Sequence, residues 1–230
     1  MKKHQKGGRY IKDMVYGAND GIITTFAVVA GVMGGGLAEI TIILLGIVNL
    51  LADGFAMAAS DFLSSKSESE FYERERGVEG WEIEHDRKKE IKETEEFLIA
   101  KGYSLEDSNK FVELFSKNKE LWADFMMKEE LNLTDDPQRN HNIASFLTFI
   151  SFVVAGFVPL IPFLVWQGDR GALFTLTIFF TASALFFVGA MRTHFTGKNW
   201  GRAGFEMLFI GGVAALIAYG AGAVLRGIIG

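Results

Sequence analysis

The sequence predicts an all-α membrane protein with five transmembrane helices and a three-helix cytosolic insert between the second and third spans. Three observations carry this reading. Charge is sparse from Met14 to Ser60 and again from Ile143 to Gly230, and dense between them. The two apolar parts divide into five stretches of roughly 20 residues, the length a helix needs to cross a bilayer. Residues 66–141 hold 21 Asp/Glu and 13 Lys/Arg, so the overall net charge of −5 hides a strongly acidic middle.

The first span is expected at about 14–37 and the second at about 40–64. After the insert, spans are expected at about 143–166, 172–191 and 203–225. Residues 1–65 thus form a tail with spans one and two, 66–141 the insert, and 142–230 spans three to five. The breaks are tight: Ala38-Glu39, and Gln167 to Gly171, so each pair of helices they join is antiparallel. Pro159 and Pro162 predict a kink in the third span. The basic start Met1-Lys2-Lys3-His4-Gln5-Lys6 precedes an apolar stretch too long for a signal peptide and without a clear cleavage site, which reads as a retained first span.

Basic residues set the orientation. With the N-terminus in the cytosol, Lys2, Lys3, Lys6, Arg9, Lys12, the insert, Arg192, Lys198 and Arg202 lie inside, and only Arg170 and Arg226 outside. The C-terminus is then outside. Compact loops and the lack of cleavable targeting fit a prokaryotic plasma membrane better than a vacuolar one. Gly17-x-x-x-Gly21, Gly31-x-x-x-Gly35 and the small residues from Gly211 to Gly222 allow close helix approach, within the chain or across a homodimer.

The insert reads as helical. Ser67 to Ala100 contains no proline and continues the second span as one long helix. Gly102-Tyr103-Ser104 breaks it, Ser104-x-x-Asp107 starts a helix over about 105–117, and a last one covers about 119–131. Helices this short bury little apolar surface alone, so dimerisation, metal or both should hold them.

Several chemistries are excluded. There is no cysteine, hence no disulfide, zinc–thiolate site or iron–sulfur cluster. The acidic insert repels nucleic acid. There is no nucleophile–base arrangement, phosphate-binding glycine loop or pair of Glu-x-x-His motifs, so the chain reads as no enzyme.

The groups that remain suit cations. Asp20 is a carboxylate inside a span, a costly position that marks a cavity, a partner or an ion path. The bland alternative is a buried Asp hydrogen-bonded to Asn19, Thr24 or a neighbouring helix. Asp20 lies eight residues after Lys12, about 12 Å along a helix. Met57 lies eight residues before Ser65 in the antiparallel second span, at a similar depth. An oxygen donor facing a thioether suits a soft first-row divalent ion such as Fe2+ better than Mg2+ or Ca2+. Asp53 and Asp61 flank Met57 by one turn.

In the insert, Glu79, Glu82, Glu90 and Glu93 fall within roughly 80° on one helix and make a stripe about three turns long. Like charges so placed want a cation or paired bases, unless the stripe is simply a solvated face. Met126 and Met127, with Glu130 one turn away, join thioether to carboxylate, or are core. His85 falls off the stripe and reads as solvated.

The first span reads Tyr16-Gly17-Ala18-Asn19-Asp20-Gly21-Ile22-Ile23-Thr24-Thr25-Phe26, and the second Ala52-Asp53-Gly54-Phe55-Ala56-Met57-Ala58-Ala59-Ser60-Asp61-Phe62. Both resemble the signature segments of the vacuolar iron transporter (VIT) family, over nearly the whole chain. The resemblance implies a five-span homodimer that moves Fe2+, often Mn2+ too, out of the cytosol in exchange for protons. Co2+ or Zn2+ are further candidate ions. It implies Asp20 and Met57 as ligands in a path between protomers. Glu79, Glu82, Glu90, Glu93, Met126, Met127 and Glu130 correspond to metal ligands of the cytosolic domain, and Asp13 to an acid at the cytosolic mouth. Two departures stand out: Phe55-Ala56 precedes Met57 where many relatives have Ser, and Asn49 stands where some carry a carboxylate. Asp20, Asp13 and Asp53 are then the candidate proton carriers. The competing reading is a membrane-anchored metal buffer that does not transport.

Overall fold

A computed structural model describes residues 10–134, 136 and 139–229. The basic residues Lys2, Lys3, Lys6 and Arg9, and Asp135 and Pro137 near the end of the insert, lie outside the described residues. Among the described residues all regular structure is helical. The chain divides into two compact units, Met1–Phe62 with Arg139–Gly230, and Leu63–Gln138.

The first unit contains α1 (Ile11–Gly34), the apolar part of α2 (Glu39–His85), α6 (His141–Gly156), α8 (Arg170–Met191), the short α9 (Thr193–Thr196) and α10 (Trp200–Ile229). Between α6 and α8, a 3-10 turn at Val158–Leu160 and the short α7 (Ile161–Val165) carry Pro159 and Pro162. The third span is therefore broken where proline removes backbone donors. Five segments are long and apolar enough to cross a membrane: α1, α2, His141–Val165, α8 and α10. In α2 only the stretch before Lys66 qualifies by composition, because beyond it charged residues recur at nearly every turn.

Small residues decide how these helices pack. A Cβ at Gly17 would stand 2.4 Å from the carbonyl oxygen of Thr148, and one at Gly21 would stand 2.2 Å from that of Phe152. Gly156 of α6 fits against Gly21 in turn. Helices α1 and α6 thus meet backbone to backbone, as glycine permits between membrane helices. At the far end of α1, Gly34 abuts Tyr219 and Gly222 abuts Gly31. The glycine motifs of the first span serve packing within the chain, against α6 and α10. Phe26, Val29, Val32, Ile42, Leu160, Phe163 and Leu173 close the core at one end, and Ile22, Leu185, Val188 and Met207 form a second cluster. Ile40, Leu44, Val48 and Phe55 of α2, and Phe209, Leu216 and Ile217 of α10, are exposed.

The second unit contains the polar end of α2 followed by α3 (Arg87–Ala100), α4 (Leu105–Phe115) and α5 (Lys119–Glu129). Ser104 caps α4 by accepting from the Asp107 amide, and Asn118 caps α5 by accepting from that of Leu121. The expected single helix over 67–100 is not formed. The chain breaks at Asp86, with φ −120° and ψ 35°, outside the helical region. The insert therefore comprises the end of α2 plus three further helices, rather than three in all. Ile83, Trp122, Ala123 and Met126 form its small core, with Ile91, Phe115 and Phe125 against it. Ile83 and Ile91, on either side of the break, both face the tryptophan-centred core.

Candidate metal sites

In the membrane unit, Asp20 sits half-buried in the middle of α1. Its backbone carbonyl accepts from the Thr24 hydroxyl at 2.8 Å, so that bond satisfies the helix and not the carboxylate. The charge that acts on Asp20 is Asp53 of α2. Asn49, Asp53 and Met57 follow one another at single-turn spacing on α2, all half-buried, so Met57 shares the helix face of Asp53. Spacing in the sequence placed Asp20 and Met57 at one depth; the interaction across the helix pair runs through Asp53.

Asp13 lies about two turns nearer the start of α1 and is 3% exposed. The Arg139 guanidinium donates to its Oδ1 at 2.9 Å and stands 3.9 Å from Asp61. Ser145 donates to Asp61 at 3.4 Å. Arg139 counted in the sequence only towards the charge balance. Nothing in its local pattern shows that it reaches Asp13, 126 residues away.

In the insert, the break at Asp86 changes the geometry of the glutamates. Eleven residues along a straight helix separate two positions by about 16 Å. Glu79 and Glu90 instead lie within hydrogen-bonding reach of each other. The four glutamates are therefore two pairs, Glu79/Glu82 on α2 and Glu90/Glu93 on α3, brought face to face rather than strung along one stripe. Glu79 is 4% and Glu90 1% exposed, and Glu79 Oε1 and both Glu90 oxygens lack a donor. Burial, then the hydrogen bond and charge of Glu90, push the Glu79 carboxyl up to about 8. Burial also raises Glu90. Two carboxyl groups so placed can share a proton, which a cation would displace.

Glu130, at the C-terminal cap of α5, is raised by burial and then by the charge of Glu93, with Lys89 opposing and Glu82 adding. It thus belongs to the same group. Met126 and Met127 are fully buried. Thr94, also buried, donates to the Glu90 carbonyl at 2.7 Å, approaches Met126 Sδ at 3.3 Å, and accepts from the Trp122 indole at 2.8 Å. This chain of contacts fixes the helix turn of Glu90 against Met126. Sequence reasoning missed Thr94 and Trp122, whose role depends on the packing of α3 on α5. His85 is exposed and stacked on Trp81. Among the described residues, no three His, Asp or Glu side chains converge tightly enough to hold a metal ion as they stand.

Residues 11–223 match the model of the VIT family. The chain belongs to the VIT family. It is 31% identical over 218 residues to Vacuolar iron transporter 1 of Arabidopsis thaliana, covering 95% of this chain and 87% of that protein. It is 32% identical over 231 residues to the Vacuolar iron transporter of Toxoplasma gondii (96% and 76%). It is 30% identical over 224 residues to that of Plasmodium falciparum (94% and 82%). The chain is thus a membrane protein of a transporter family and not an enzyme. The expectation of a prokaryotic plasma membrane draws no support from relatives named as vacuolar.

Proposed function

We propose that this VIT-family chain is a homodimeric transporter that moves Fe2+, and Mn2+ with it, out of the cytosol in exchange for protons. The observation that carries the reading is the pair Asp20 and Asp53, two half-buried carboxylates on neighbouring spanning helices with Met57 one turn from Asp53. Carboxylates facing hydrocarbon without a partner are too costly to keep. A second copy of the chain laid against this face would enclose them and supply a second Asp20 and Met57. The two carboxylates and two thioethers would make a mixed oxygen–sulfur path suited to a soft divalent ion. The exposed apolar residues of α2 support such a contact.

The insert collects metal on the cytosolic side. Glu79, Glu82, Glu90, Glu93 and Glu130 supply oxygens, and Met126 and Met127 supply thioethers; Co2+ and Zn2+ would compete for the same donors. Loading releases the proton shared by Glu79 and Glu90. Protonation of Asp20 and Asp53 from the outer side weakens their hold on the cation and completes the exchange, with Asp13 admitting metal once Arg139 gives way. The N-terminus lies inside and the C-terminus outside. In proteoliposomes, Fe2+ movement should rise several-fold when a proton gradient drives protons in the opposite direction, and movement that ignores the gradient would overturn the coupling. A buffer that holds metal without moving it is favoured only by the burial of Glu79 and Glu90 and the donor-free oxygens of Glu90; such a protein would bind Fe2+ and pass none.

A further inference from the structure

We propose that Lys89 is a built-in counter-cation: its ammonium occupies the glutamate cluster of the insert when metal is absent and is expelled when a divalent ion binds. The inference rests on the reading of that cluster as a metal site. Lys89 Nζ stands 3.6 Å from Glu82, 3.8 Å from Glu90 and 3.5 Å from Glu93. Among the described residues it is the basic side chain whose ion pairs reach these glutamates. Its charge also acts on Glu130. One cation is thus shared by four of the five carboxylates.

The distances separate this lysine from the structural ion pairs of the same unit. Arg76 holds Glu120 at 2.6 Å and Asp124 at 2.8 Å, direct charge-assisted hydrogen bonds that pin α5 to α2. Lys89 makes no contact that short. It stands in the combined field of three carboxylates, nearest to Glu93. Its side chain is 50% exposed, so it has a way out to water. Lysine, a compact hydrated charge on a flexible arm, suits a departing group in a way that a forked guanidinium would not. Glu90, almost wholly buried and without a donor on either oxygen, points into the same place and is available to an incoming ion.

Two consequences follow. Without metal, the ammonium relieves repulsion that would otherwise open the cluster. With metal, its expulsion subtracts from the binding energy, so the insert releases its ion instead of trapping it.

The test uses full-length protein in detergent, in an Asp20→Ala background so that the insert is the remaining site. Co2+ binding is read by calorimetry at low ionic strength. Lys89→Gln should bind Co2+ about tenfold more tightly than its parent, and Lys89→Arg no more tightly. In the parent, Co2+ should raise the acylation rate of Lys89 by an amine reagent, read by peptide mass mapping, and leave Lys92 unchanged. This second measurement stands if Lys89→Gln fails to fold. Equal or weaker binding by Lys89→Gln, or Lys89 acylation indifferent to Co2+, overturns the inference while leaving the metal site in place. A parent that binds no Co2+ overturns the site itself.

Discussion

Replacing Glu79 by glutamine tests whether the insert is built around a protonated carboxyl. Glu79 is buried beside Glu90 and held at about 8, against an ordinary value of 4.5. A carboxyl raised on folding adds stability that is fully present below its unfolded value and is lost as pH rises through its folded one. The loss therefore falls between about pH 4.5 and pH 8, and metal-free protein should weaken as it is made alkaline. From those two values, stability lost between about pH 6 and pH 8.5 is roughly 2 to 3 kcal/mol, or 30- to 150-fold in the opening equilibrium of the insert. Glutamine cannot ionise and offers Glu90 an amide donor. The assay is amide hydrogen exchange of α3 and α5 peptides with chelator present, corrected for intrinsic rate. Protection in the parent should fall across this range, and in Glu79→Gln it should stay nearly flat. A parent whose protection is unchanged or rises with pH, or a variant with the parent's slope, would refute the shared-proton arrangement.

Other outcomes follow from the same geometry. Met126→Leu should cost less than about 1.5 kcal/mol, because volume is kept in a fully buried position, yet weaken Co2+ binding by the insert, as calorimetry would show. Gly21→Val should cost 2 kcal/mol or more by driving a side chain into the Phe152 carbonyl, read as loss of monodisperse protein on gel filtration. Arg139→Met leaves Asp13 buried and unpaired, and should lower thermal stability by about 3 kcal/mol. Asp13→Asn added to it should recover part of that loss.

The fold of the membrane unit was legible because hydrocarbon imposes one rule, about twenty apolar residues per span. The five spans, the proline break at Pro159 and the start of α4 at Ser104 were each marked by residues with a local meaning. The bend at Asp86 was not. The segment Glu84-His85-Asp86-Arg87 has no glycine or proline, and Asp86 makes no side-chain cap. The bend lies within a segment packed against α5, with Ile83 and Ile91 on either side of it against the Trp122 core, so its signal is tertiary and not local. Helical phase alone therefore read the four glutamates as a stripe on one rod, whereas the fold sets them as two pairs on either side of the break. The pairing of Arg139 with Asp13, and the bridge from Trp122 through Thr94, likewise depend on contacts between distant segments. Asp53 was seen as a neighbour of Met57, but its electrostatic influence on Asp20 emerged only from the packing of α1 and α2.

The most direct test of the transport account compares binding and flux in one preparation of Asp20→Ala. The variant should bind Fe2+ at the insert as the parent does, while Fe2+ movement across proteoliposome membranes under a pH gradient falls to the protein-free background. Flux retained at the parental rate would contradict a path through Asp20.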